Sequence, residues 1–222
     1  MSLAAPAPAE ALRYLALGDS YTIGEGVPET GRWPVQLAQA LRDGGIALGD
    51  PRIVATTGWT TDELAAALDA AEPLGSFDFV SLLIGVNNQY RGRGLDEYRA
   101  QFAALLERAI GYAGGRADRV LVLSIPDWGA TAFGRGSGRD PAQVAGELDA
   151  FNAAARAECA ARGVAFVDVT TASRAHATLL ADDGLHPSAA MVSGLAGVVF
   201  TNGVTPQSGI DSTSTRSARP RA

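Results

Sequence analysis

Two short stretches of the 222-residue chain carry residue types that chemistry could use. In "YLALGDSYTIGEG", Tyr14–Gly26, an apolar run stops at Gly18 and is followed by Asp19, Ser20 and more glycines. That pattern is a strand entering a functional turn. Such a turn either cradles a phosphate on its backbone or holds up a serine as a nucleophile. A nucleophilic serine needs a base, and the chain has two histidines. His186 lies in "LADDGLHPS" with Asp183 three residues earlier. A short turn can set that carboxylate on the imidazole, fixing its tautomer and stabilising the imidazolium that forms. The second ring nitrogen is then free to take the Ser20 proton. His176, in "SRAHATLL", has no carboxylate three or four residues away and reads as a solvated helix residue. Asp19 reads as an acceptor that shapes the turn around Ser20.

Acyl transfer also needs donors aimed at a developing oxyanion. Gly58 can bring its backbone N–H close because no side chain obstructs it. Asn87 can offer its side-chain amide, and the Ser20 N–H is a third donor. Taken singly, each residue has an ordinary reading: Ser20 and Gly58 suit turns, Asn87–Asn88 suits a cap, and Asp183 suits the start of a helix. The information lies in their ordered combination.

The elements that must position these residues follow from the apolar pattern. Strands are expected at 12–18, 51–58, 77–85, 118–126 and 164–170, with helical patterns between them. The helix at 140–163 has Asp140 as its cap, Pro141 at its first position and Gly163 after its end. Near-continuous apolar strands alternating with helices predict an α/β fold with a parallel sheet covered on both faces. Ligands of such sheets sit beyond the carboxyl ends of the strands. Asp19–Ser20, Gly58–Trp59, Asn87–Asn88 and Asp127–Trp128 should therefore converge on one cleft. Trp59, Tyr90, Trp128 and Phe133 either line an apolar substrate pocket there or close the top of the core. Arg91 and Arg93, in "YRGRG", either meet an anionic substrate group or are solvated. The glycine-rich segment 127–139 reads as a mobile lid.

Composition removes other classes. The formal net charge of −6 argues against a nucleic-acid surface. All 18 basic residues are arginine, which excludes a P-loop and any Schiff-base chemistry on this chain. The single cysteine, Cys159, falls on the apolar face formed by Val144, Leu148, Phe151 and Ala155 and reads as a small buried hydrophobe. No run approaches a membrane span. The N-terminus does not read as a secretory signal, so the cytoplasm is the expected location. One domain is expected over 1–200, with a flexible 1–11, a final helix within 188–200 and a disordered Ser/Thr/Arg-rich tail at 201–222.

With these residues in place, the chain resembles the SGNH hydrolases, the GDSL family of lipases and esterases. "GDSYTIG" (18–24) matches the first family block, "TTGWTT" resembles the second at Gly58, "IGVNNQYRG" the third at Asn87, and "DDGLHPS" the last at Asp183 and His186. The blocks run in family order from 18 to 186. The resemblance implies hydrolysis of small-molecule carboxylic esters through an acyl-serine, with no metal or cofactor. It also implies a flavodoxin-like three-layer α/β/α fold with strand order 2-1-3-4-5. The third block departs from the family pattern, with Asn88 where an Asp is usual. Acyl transfer to an alcohol and thioester hydrolysis use the same site and stay open, as does oligomeric state. A phosphate-binding flavodoxin-like module is the rival from another class.

Overall fold

The structure is a computed structural model, and it describes residues 11–191. All but the last residue of the expected flexible N-terminus, the tail at 201–222 and all but the first residues of the expected final helix lie outside that range. Five parallel strands form one sheet: β1 (Tyr14–Gly18), β2 (Arg52–Ala55), β3 (Phe79–Leu83), β4 (Val120–Leu123) and β5 (Ala165–Val167). Their order is 2-1-3-4-5, as the resemblance implies. The helices are α1 (Ser20–Ile23), α2 (Trp33–Asp43), α3 (Thr61–Ala71), α4 (Val86–Tyr90), α5 (Leu95–Tyr112), α6 (Ala132–Gly136), α7 (Pro141–Arg162) and α8 (Thr170–Ala175).

The burial of each strand follows its place in the sheet. Every residue of β1 and β4 is buried, whereas the edge strands β2 and β5 are partly exposed. The chain steps one way from β1 to β2 and the other way from β1 past β3. Right-handed crossovers therefore place α2 on one face and α3, α5 and α7 on the other. In that second layer Tyr98 of α5 stacks on Phe151 of α7, ring centroids 4.6 Å apart. Asp140 caps α7 by accepting from Ala142 N–H, and Gly163 closes it with φ +69°. Cys159 is fully buried and its thiol is pushed up to about 12 by burial, which fits a core residue. Among the described residues no helix is long and apolar enough to cross a membrane.

The structure departs from the sequence expectation after β3 and β4. Two residues past β3 the chain enters α4, a short helix that the apolar pattern does not show, and Asn87 stands in its first turn. The expected lid at 127–139 folds as a 3₁₀ turn, Trp128–Ala130, followed by α6. Asp127 caps the turn through Gly129 N–H, and the Thr131 hydroxyl accepts from Gly134 N–H. Local capping chemistry thus gives this glycine-rich stretch a defined backbone.

Candidate active site

The site is built where the sheet reverses direction, between β1 and β3. β1 ends at Gly18, which lies beside Leu83 of β3 and Ala55 of β2. A Cβ at Gly18 would stand 2.2 Å from Thr22 Oγ1 and 2.4 Å from the Leu83 carbonyl oxygen, so only glycine lets α1 start here. Asp19 caps that helix: its Oδ1 accepts from Tyr21 N–H at 3.1 Å. Ser20 is the first residue of α1 and is 5 % exposed. Burial pushes the Asp19 carboxyl up to about 7, against backbone N–H groups, chiefly that of Tyr21.

The opposite wall comes from the turn before Met191. Asp183 Oδ1 accepts from Leu185 N–H at 2.9 Å and His186 N–H at 3.0 Å, which closes the turn. Its Oδ2 lies 2.6 Å from His186 Nδ1. Burial alone would raise the Asp183 carboxyl, but the His186 ring and the two backbone N–H groups outweigh it and hold it below its usual value. His186 is mostly buried, and the edge of the Tyr21 ring meets it at 5.6 Å between centroids. His176 is exposed, at the end of α8.

Ser20 and His186 line one cavity of about 180 Å³ with Tyr21, Val86, Asn87, Tyr90, Trp128, Phe133 and Leu185. Three strand ends, those of β1, β3 and β4, therefore meet there with the Asp183–His186 turn. Ser20 and His186 share this lining without a direct side-chain hydrogen bond between them among the described residues. Asn87 Nδ2 donates to the Trp59 carbonyl at 2.9 Å, which uses one of its two amide hydrogens.

The end of β2 behaves differently. Gly58 takes φ +88°, a conformation that side chains disfavour. Gly58 and Trp59 do not line the cavity. Trp59 packs instead against the core, and its contribution is the carbonyl that holds Asn87. Of the four aromatic residues singled out in the sequence, Tyr90, Trp128 and Phe133 come together and Trp59 stays apart. Trp128 is 2 % exposed, with Tyr90 at 5.2 Å and Phe133 at 6.0 Å between ring centroids. Arg91 pairs with Glu63 and Arg93 with Asp62 in the acidic first turn of α3, and Arg93 also pairs with Glu97 of α5. Asn88 is fully buried, accepting from Thr61 N–H at 3.1 Å and donating to Thr61 Oγ1 at 2.7 Å. An amide serves both bonds at once, which a carboxylate cannot.

Sequence reasoning missed Tyr21, Val86 and Leu185 as lining residues. Each is an apolar or aromatic neighbour of a polar residue that it did select, and adjacency was the available signal.

A doubly wound parallel sheet with a serine at its switch point and an Asp–His turn across the cavity is the arrangement of an SGNH hydrolase. The chain belongs to that class: the model of the GDSL-like lipase/acylhydrolase family matches residues 16–192. No curated protein sequence matches it significantly. Solved structures share the fold at low identity. The psychrotrophic esterase EstA from Pseudoalteromonas sp. is 14% identical with a TM-score of 0.66, covering 86% of this chain and 95% of that one. Axe2, an acetylxylan esterase from Geobacillus stearothermophilus, is 20% identical with a TM-score of 0.66, covering 86% and 93%. A lipase/acylhydrolase from Enterococcus faecalis is 21% identical with a TM-score of 0.61, covering 85% and 93%.

Proposed function

We propose that the protein is a serine esterase that cleaves carboxylic esters of small to medium acyl groups through an acyl-serine intermediate. Ser20 Oγ attacks the ester carbonyl carbon as His186 Nε2 takes its proton. Asp183 holds the Nδ1–H form of the ring and stabilises the imidazolium. The Ser20 N–H and the second amide hydrogen of Asn87, both in the cavity lining, receive the oxyanion, and the Gly58 N–H, outside that lining, is assigned as the third donor from the family block that it occupies. Collapse of the tetrahedral intermediate passes the His186 proton to the departing alcohol. Water, deprotonated by His186, then attacks the acyl-serine, and the acid leaves as Ser20 regains its proton.

The observation that carries this reading is the 2.6 Å pairing of Asp183 with His186, whose ring lines the same cavity as Ser20 and Asn87. A phosphate-binding module has no use for that pair. The test is Ser20→Ala, assayed on nitrophenyl acetate and butyrate. Hydrolysis should fall by about three orders of magnitude or more. Labelling of the parent chain by a fluorophosphonate should disappear in the variant. Retention of near-parental activity would remove Ser20 from the mechanism.

A further inference from the structure

Trp128 is the most deeply buried of the residues that line the cavity, and its indole N–H opens onto a hydrogen-bonded path. Trp128 Nε1 donates to Gln89 Oε1 at 2.8 Å, and Gln89 Nε2 donates to Glu147 Oε2 at 2.5 Å. The same Glu147 oxygen accepts from Arg139 Nη2 at 2.7 Å, and Glu147 Oε1 accepts from Gln143 Nε2 at 2.8 Å. The Arg139 guanidinium lies 5.6 Å from the Trp128 ring centroid. The path from Trp128 through Gln89, Glu147 and Arg139 thus returns to Trp128.

This closed path fixes orientation as well as position. Gln89 is 2 % exposed and both ends of its amide are used. A flipped amide would turn NH₂ toward the indole N–H and oxygen toward the carboxylate, opposing like groups at both ends. The indole is held at its edge by Gln89 and on its face by Arg139. Tyr90 and Phe133 in turn rest on Trp128, so the apolar wall takes its shape from this ring.

We infer that Gln89, Glu147 and Arg139 are positioning residues that set the upper size of the acyl group by fixing Trp128 in the buried wall of the cavity. The inference rests on the acyl-serine reading above. The acyl group stays bonded to Ser20 through both half-reactions while the alcohol departs after the first, so the apolar wall of Trp128, Tyr90 and Phe133 suits the acyl part. An apolar cavity of about 150 Å³ holds one benzene ring. The 180 Å³ here therefore suits an acyl chain of roughly six heavy atoms. Each methylene that must be refused is worth about tenfold or more in specificity. A wall free to turn gives up that refusal.

The experiment is a kcat/KM series on nitrophenyl esters from acetate to decanoate, run on the parent, Gln89→Leu, Glu147→Ala and Glu147→Gln. A second series varies the alcohol of an acetate ester. In the parent, kcat/KM should drop steeply beyond about six carbons. In Gln89→Leu and Glu147→Ala the butyrate-to-octanoate ratio should fall about tenfold. Glu147→Gln keeps an acceptor for Gln89 and should stay within about twofold of the parent ratio. Glu147 is partly exposed and carries the test if Gln89→Leu does not fold. Unchanged ratios in Glu147→Ala would overturn the inference. A shift confined to the alcohol series would overturn its assignment to the acyl side. Hydrolysis that persists near parental rates in Ser20→Ala would overturn the acyl-serine reading, and with it this one.

Discussion

Asp19 and Ser20 are neighbours with opposite needs. The serine must reach the cavity, and the carboxylate that starts its helix is buried beneath it. Folding raises the Asp19 pKa from 3.8 to about 7, chiefly by burial. A carboxyl raised by folding binds more protons in the folded state than in the unfolded one. Its contribution to stability is therefore greatest below the unfolded value, and it declines as pH rises through the interval up to about 7. The slope cannot exceed about 1.4 kcal/mol per pH unit for one proton. Asp19→Asn keeps an oxygen to accept from Tyr21 N–H and removes the titration. Melting curves from pH 4 to 8 should show the variant gaining on the parent up to about pH 7 and holding that gain above it. A constant difference between the two across this range would show that folding does not raise the Asp19 pKa.

The elements of the site are joined by contacts that no local pattern announces. The loop after β2 is tied to α4 by Arg91 Nη2 to the Gly58 carbonyl (2.7 Å), by Asn87 to the Trp59 carbonyl, and by Asn88 to Thr61. Arg91 also holds Glu63, which itself accepts from Thr60 N–H in the first turn of α3. If Gly58 serves as the oxyanion donor proposed above, fixing its carbonyl also steadies the backbone that carries its N–H. Arg91→Ala should therefore lower kcat by about tenfold, less than outright loss of a donor, with KM within about twofold. Arg91→Lys should restore little, because an ammonium cannot span the carbonyl and the carboxylate as a planar fork does. A kcat equal to the parent's in stopped or continuous assays would show that Gly58 is held without Arg91. The same contacts mark where the sequence stops being readable. The strands, α7 with its Asp140 and Gly163 ends, and the Asp183–His186 turn are local in sequence and legible from it. α4 is only "VNNQY", too short to show a helical period. Arg91 and Gly58 are 33 residues apart, and Glu147 lies further still from Gln89. Such pairs become visible only once the sheet has set which strand ends are neighbours.

At the scale of the whole molecule, chemistry and stability occupy different regions. The cavity stands at the carboxyl ends of β1, β3 and β4, while the helical layer over the sheet is fastened by ion pairs. Because every basic residue is arginine, each of these pairs uses a guanidinium fork. Glu158 of α7 binds Arg99 of α5 at 2.6 Å and Arg162 of its own helix at 2.6 Å, and Arg162 reaches Glu107 of α5 at 2.6 Å. Arg99 and then Arg162 hold the Glu158 carboxyl below its usual value, with burial opposing them. Its contribution is therefore present above the unfolded carboxylate range and is lost as pH falls through the lowered folded value. These groups are close to solvent, so the network is worth about 1 kcal/mol rather than several. Glu158→Gln should lower the melting temperature by about 2–4 °C at neutral pH. The loss should shrink in high salt and fade on acidification. Hydrolysis rates at 25 °C should not change, since Glu158 lines no part of the cavity. Arg91→Ala should do the reverse, costing rate with little change in melting temperature. If both variants lost rate and stability in proportion, the site would be no more than a readout of global folding, and the positioning assigned to α4 would have no support.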